Sequence, residues 1–166
     1  MKQEEIVKIV NKVYPLISKD NNSQAKVEYY HNIYERLSGE KGMTGEVCAE
    51  AEYDWEMCKI YLYTSRLHTV EDIIRALIHE CVHSTQSKVI FDQYYKEGFT
   101  YDTHPYEIEA KNAEEEWKIY LNELNKKQKR CVRRKVDIEL GISPPSSTIH
   151  RNKKKYNRKE KHKKND

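Results

Sequence analysis

The sequence predicts a mainly helical α+β domain with a small antiparallel or mixed sheet placed just ahead of its best-defined helix. Three observations lead there. Apolar residues recur at helical spacing near the start, in the middle and in the later part of the 166-residue chain. Between Glu46 and Thr64 the pattern switches to alternation and to β-forming residues. No stretch has the continuous apolar length that a bilayer span needs.

The elements follow in order. Ile6, Ile9, Val10, Val13 and Ile17 form one stripe, which predicts an amphipathic helix that Pro15 should end or kink. Asp20-Asn-Asn-Ser23 reads as a turn and N-cap for a second helix, marked by Val27, Tyr30, Ile33, Tyr34 and Leu37 and closed at Gly39. Val47, Ala49 and Ala51 alternate with Cys48, Glu50 and Glu52, and Lys59-Ile-Tyr-Leu-Tyr-Thr64 is rich in β-formers. Two strands joined near Tyr53-Asp-Trp55 are expected. Thr69 places Asp72 at the third helical position, a capping-box start that uses Asp where Glu or Gln is usual. Behind it Ile73, Ile74, Leu77, Ile78, Cys81 and Val82 make an apolar stripe, predicting a helix over Val70–Ser87. Gly98 breaks the next stretch. Asp102-Thr-His-Pro105 opens a further helix, which Ala110, Ala113, Trp117, Leu121 and Leu124 carry on towards Ile138. Residues 1–142 are expected to form one domain and residues 143–166 a basic, disordered tail.

Charge is divided unevenly along the chain. Arg151–Asp166 holds nine Lys or Arg against two acids, a net +7; with +3 for the whole chain, residues 1–150 carry −4. Such a tail can hold nucleic acid without regard to sequence, and that binding would weaken steeply with salt. Cys48, Cys58, Cys81 and Cys131 form no CxxC pair, which argues against a cysteine-based zinc ribbon. The first twenty residues alternate charged and apolar side chains, unlike a signal peptide or membrane anchor. A reducing cytoplasm with free thiols is the expected setting.

Leu77-Ile-His-Glu-Cys-Val-His-Ser-Thr-Gln86 contains His-Glu-x-x-His. Histidines four apart on one helix face can aim two imidazoles at one zinc ion, and the glutamate between them can polarise a water held there. His79 and His83 are therefore the candidate ligands and Glu80 the candidate general base; Cys81, on the apolar stripe, reads as a buried thiol. Zinc needs a third protein ligand. The segment His104-Pro-Tyr-Glu-Ile-Glu-Ala110 offers Glu107, Glu109 and His104, and helical geometry does not choose between the two glutamates. Tyr94, Tyr95, Tyr101 and Tyr106 are on hand as oxyanion donors, and nothing in the sequence selects one.

With the motif and the downstream segment together, residues 59–117 resemble the gluzincin branch of the zincin metallopeptidases. The order of strand, HExxH helix and Glu-bearing helix is similar to small phage and mobile-element peptidases of the ImmA/IrrE-like and SprT-like groups. The resemblance implies a minimal zincin-like fold, a zinc cofactor, Glu107 as third ligand and hydrolysis of peptide bonds in a protein substrate. It further implies that strand Lys59–Thr64 pairs with an extended substrate. Lys111 stands where some members carry a supporting Asp, so that supporting role is expected to be missing. SprT-like proteins close the shell with a histidine, which keeps His104 open as a rival. A reading from another class is a non-catalytic nucleic-acid-binding protein on a zincin-derived fold, acting through the tail.

Overall fold

The computed structural model describes residues 1–39, 49–126 and 129. The chain divides into two compact units, Met1–Asn125 and Lys126–Asp166, and the architecture below is that of the first. The strand residues Val47 and Cys48, the helix towards Ile138, the expected boundary at 142 and the basic tail all lie outside the described residues.

The fold is mixed α+β. It begins with α1 (Gln3–Asp20), whose buried residues Ile6, Val10, Val13 and Ile17 repeat every three or four positions. The helix runs through Pro15 instead of ending there. Pro15 sits on the solvent face, where water can satisfy the carbonyl it leaves unpaired, while the stripe on the opposite face is completely buried. Packing of the stripe outweighs the local preference.

The second expected helix is corrected. Val27 to Tyr30 belong to strand β1 (Lys26–Tyr30), and only a short helix α2 (Ile33–Ser38) follows. Val27 and Tyr29 pack on the core, which is a period of two, not 3.6. Asn32 caps α2 by accepting from Glu35 N at 2.8 Å, Glu35 accepts from His31 N, and Gly39 ends the helix at φ +71°.

Strands β2 (Ala51–Asp54) and β3 (Lys59–Tyr63) form an antiparallel hairpin. Its turn is residues 55–58, with Asp54 Oδ1 accepting from Glu56 N and Met57 N. β1 pairs with β3 in parallel, giving the order β1-β3-β2. β3 is therefore the central strand, hydrogen-bonded on both sides, and it has no edge to offer an extended substrate. The expectation that Lys59–Thr64 pairs with one is corrected; among the described residues the free edge beside the helices belongs to β2.

β3 is buried on both faces. Ile60 and Leu62 enter the main core, while Tyr61 and Tyr63 face the other way, towards Arg36 on α2. Arg36 and the Tyr63 hydroxyl each bond the Glu52 carboxylate on β2, tying α2 to the hairpin.

Helix α3 (Val70–His83) starts at the expected capping box: Thr69 Oγ1 accepts from Asp72 N, and Asp72 Oδ2 accepts from Thr69 N. It ends at His83, four residues sooner than the sequence suggests, because residues 84–86 continue as a turn. Ile73, Ile74, Leu77, Ile78 and Cys81 pack against the α1 stripe and against Ile60 and Leu62. α4 (Lys88–Lys96) follows, then Gly98 at φ +95°, then α5 (Pro105–Ala113) with Pro105 at its first turn. A 3₁₀ turn over Glu114–Glu116 leads into further helix over 117–126, which adds Tyr120 and Leu124 to the core. No helix among the described residues is long and apolar enough to cross a membrane.

Two substitutions separate packing from propensity. Leu77→Ala, in the middle of the core, should lower the unfolding free energy by about 2–5 kcal/mol. Pro15→Ala should raise it, by up to about 3 kcal/mol, because the helix already continues through that position. Denaturant titrations of the two variants measure both effects.

Candidate metal centre

On α3 the residues Asp72, Ala76, His79 and His83 fall at successive turns of one face, opposite the buried stripe. Packing of α3 on α1 thus turns the two histidines outward into a cleft of about 770 Å³, which Glu80 and Glu107 also line. The His79 and His83 ring centroids are 4.7 Å apart.

Hydrogen bonds behind the rings fix their protons. His79 Nδ1 lies 2.8 Å from Glu114 Oε1, and a carboxylate only accepts, so Nδ1 carries the hydrogen. Behind His83, Gln86 Nε2 donates to Glu109 Oε2 at 2.8 Å and to the Tyr106 carbonyl at 3.3 Å. That orients the amide, so Gln86 Oε1 faces His83 Nδ1 at 2.7 Å and accepts from it. Each neutral ring then presents its Nε2 lone pair to the cleft. The two Nε2 atoms are 3.0 Å apart, a repulsive arrangement unless a cation or a proton lies between them.

Glu107 completes the group. Its Oε2 is 3.2 Å from His79 Nε2 and 3.5 Å from His83 Nε2. It is the one described buried side-chain oxygen or nitrogen that lacks a hydrogen-bond partner. Four-coordinate zinc at about 2.0–2.1 Å from its ligands sets donor atoms about 3.3 Å apart, and the three observed separations bracket that value. Among the described residues, His79, His83 and Glu107 are the only set of three drawn together tightly enough to hold a metal ion. The donors suit a divalent first-row cation with one position left open.

The two rivals have other partners. Glu109 accepts from Gln86. His104, fully buried, caps α5: its Nδ1 accepts from Tyr106 N at 3.2 Å and its Nε2 donates to the Phe91 carbonyl at 3.0 Å. Cys81 is also buried, and burial pushes its thiol up to about 12, so it packs and does not ligate.

Electrostatics follow the same geometry. With no metal bound, burial disfavours an imidazolium at His79, but Glu107 and Glu114 outweigh it and push the group up to about 10. Burial would raise Glu107, but the two histidines bring it down to about 2. Glu80 is pushed up to about 7 by burial, against the pull of His79 and His83. A proton therefore occupies the place of the cation until a metal displaces it.

Several participants escaped the sequence reading. Glu114, whose carboxylate accepts from His79 Nδ1, lies seven residues after Glu107 and so back on the same helical face; a search two turns downstream could have found it. Gln86 stands three residues past the end of α3, yet its task depends on α5. Trp55 (5.9 Å from the His83 ring), Phe91 and Tyr101 reach the cleft from three separate segments, and no local pattern announces them. Of the four tyrosines considered, Tyr101 lines the cleft, whereas Tyr94, Tyr95 and Tyr106 pack around His104.

Glu114→Ala should weaken zinc binding about 10–100-fold by freeing the His79 ring, as read by competition with a chromophoric chelator. Zinc uptake near pH 7.5 should release about one proton from His79, so affinity should rise with pH up to about 10. Calorimetry in buffers of different ionisation enthalpy counts that proton. Comparison of the chain with protein-family models, with curated proteins and with solved structures gave no match.

Proposed function

We propose that the protein is a zinc-dependent metallopeptidase that hydrolyses peptide bonds of a protein substrate. The observation that carries this is the triangle of His79, His83 and Glu107 donor atoms, with the buried carboxyl of Glu80 lining the same cleft. When bound, zinc would supply a Lewis acid that polarises a carbonyl and lowers the pKa of a water towards about 7. Glu80 would take the proton from that water and return it to the departing amine. Glu114 and Gln86 hold the imidazoles in the tautomer that leaves Nε2 free. Of Tyr94, Tyr95, Tyr101 and Tyr106, Tyr101 is the one that lines the cleft, and its hydroxyl would donate to an oxyanion. Among the described residues the outer edge of β2 is unpaired; β2 lines the same cleft and would pair with the substrate backbone, the part that the resemblance gives to β3.

Glu80→Gln tests the reading. It should abolish peptide cleavage while leaving one zinc per chain, whereas His79→Ala should lose the zinc. Tyr101→Phe should lower kcat by about 10²–10³ at unchanged zinc content. Protein purified without stoichiometric zinc, or cleavage that survives Glu80→Gln, would sink the proposal. The +7 charge of residues 151–166 supports a second reading as a nucleic-acid binder. Salt-sensitive binding that needs those residues, with no hydrolysis of any protein, would favour it.

A further inference from the structure

The cleft has two chemically different ends. β2 runs alongside α3, and the contacts at each end give the direction. Glu50, just before β2, lines the same cleft as Asp72 and Glu114. Trp55, just after β2, contacts His83, packs on Phe91 at 4.9 Å between ring centroids and donates from Nε1 to the Gln86 carbonyl. Residues 50–55 span about 17 Å as extended chain, and Asp72 to His83 span about 16 Å of helix. The edge and the helix therefore flank one groove of matching length, with the metal ligands set towards its aromatic end.

Six carboxylates line this groove against one guanidinium, Arg75. Arg75 is itself shared among Glu71, Glu114 and Glu115. Of the six, Glu107 belongs to the metal triangle and Glu80 is the base, while Glu52 is bonded by Arg36 and Tyr63. At the Glu50 end the acids are crowded: burial first, then Asp72 and Glu114, push Glu50 above the usual carboxylate range, although Arg66 and His68 oppose the rise. These acids are not a second metal site, since no other described group meets ligand spacing. The groove is a built site on separate grounds, because Glu107 Oε2 is buried and unpartnered and the buried Glu80 opens onto it. At the far end Lys88 Nζ stands 5.6 Å from the Trp55 ring centroid and is paired with Asp92, so that end carries no carboxylate without a partner cation and is mainly aromatic.

Resting on the peptidase reading of this site, we propose that the groove selects peptides by a two-part pattern. Lys or Arg lies on one side of the scissile bond, beside Glu50 and Asp72, and an aromatic or large apolar residue lies on the other, against Trp55 and Phe91. Carboxylates set close together attract a cation at the acidic end, and the tilted pair of Trp55 and Phe91 rings offers area to an apolar side chain. An acidic residue beside Glu50 is rejected by like charge.

Zinc-loaded full-length protein is incubated with a randomised peptide library, and the new termini are identified by mass spectrometry. Lys or Arg should exceed Glu and Asp at least tenfold on one side of the cut, with aromatic residues enriched on the other. Glu50→Lys, at an exposed position, should lower the ratio of kcat/KM for basic over acidic peptides at least tenfold with zinc content retained. Trp55→Leu should remove the aromatic preference while the ratio of kcat/KM for basic over acidic peptides stays as in the wild type. Equal cleavage of basic and acidic peptides by the wild type, or a ratio that survives Glu50→Lys, overturns this inference while leaving the peptidase reading intact. Zinc-loaded protein that cuts nothing in the library overturns both.

Discussion

Two imidazole lone pairs held 3.0 Å apart set the terms for the rest of the cleft. Neither ring can turn away, because each is anchored at Nδ1, one by a carboxylate and the other by an oriented amide. Left alone, the pair repels. Either a proton or a metal cation relieves it, and Glu107 supplies negative charge on the third side in both cases. Binding of a cation is therefore competition with a proton at a site already arranged, so little reorganisation is required.

That arrangement depends on packing far from it. The apolar stripe of α3 faces α1 and β3, which leaves the histidines only one direction in which to project. Without that burial, the i, i+4 pair would be two solvated side chains on a helix. Core and candidate centre are two sides of the same fourteen-residue helix, so changes that rotate α3 in its seat act on the spacing of the donor atoms without touching His79, His83 or Glu107.

Legibility in the sequence followed the range of the interactions. α1, α3 and the start of α5 could be read because their caps and periodicities are local. The hairpin could be read from β-forming residues. β1 was misread because Val27, Tyr30, Ile33, Tyr34 and Leu37 fit a helical period by chance, while the strand assignment of Lys26–Tyr30 depends on pairing with β3, thirty-three residues later. Pro15 does not end α1 because burial on the far face of the helix overrides that local rule. At the site, His79, Glu80 and His83 were legible as a motif and Glu107 through a resemblance. Glu114, Gln86, Trp55 and Phe91 were not, because each acts through a partner on another element.

His104 shows how easily role and consequence can be confused. It is not one of the three donor residues, yet it joins α4 to α5 through Phe91 and the cap at Tyr106, one residue before Glu107. It acts as a strut that sets where the third donor stands. A mutational scan scored only by loss of metal would rank it among the ligands, and such a scan would recover the mistaken alternative that the sequence had offered. Strut and donor differ in one respect: both ring nitrogens of His104 are already engaged with the backbone.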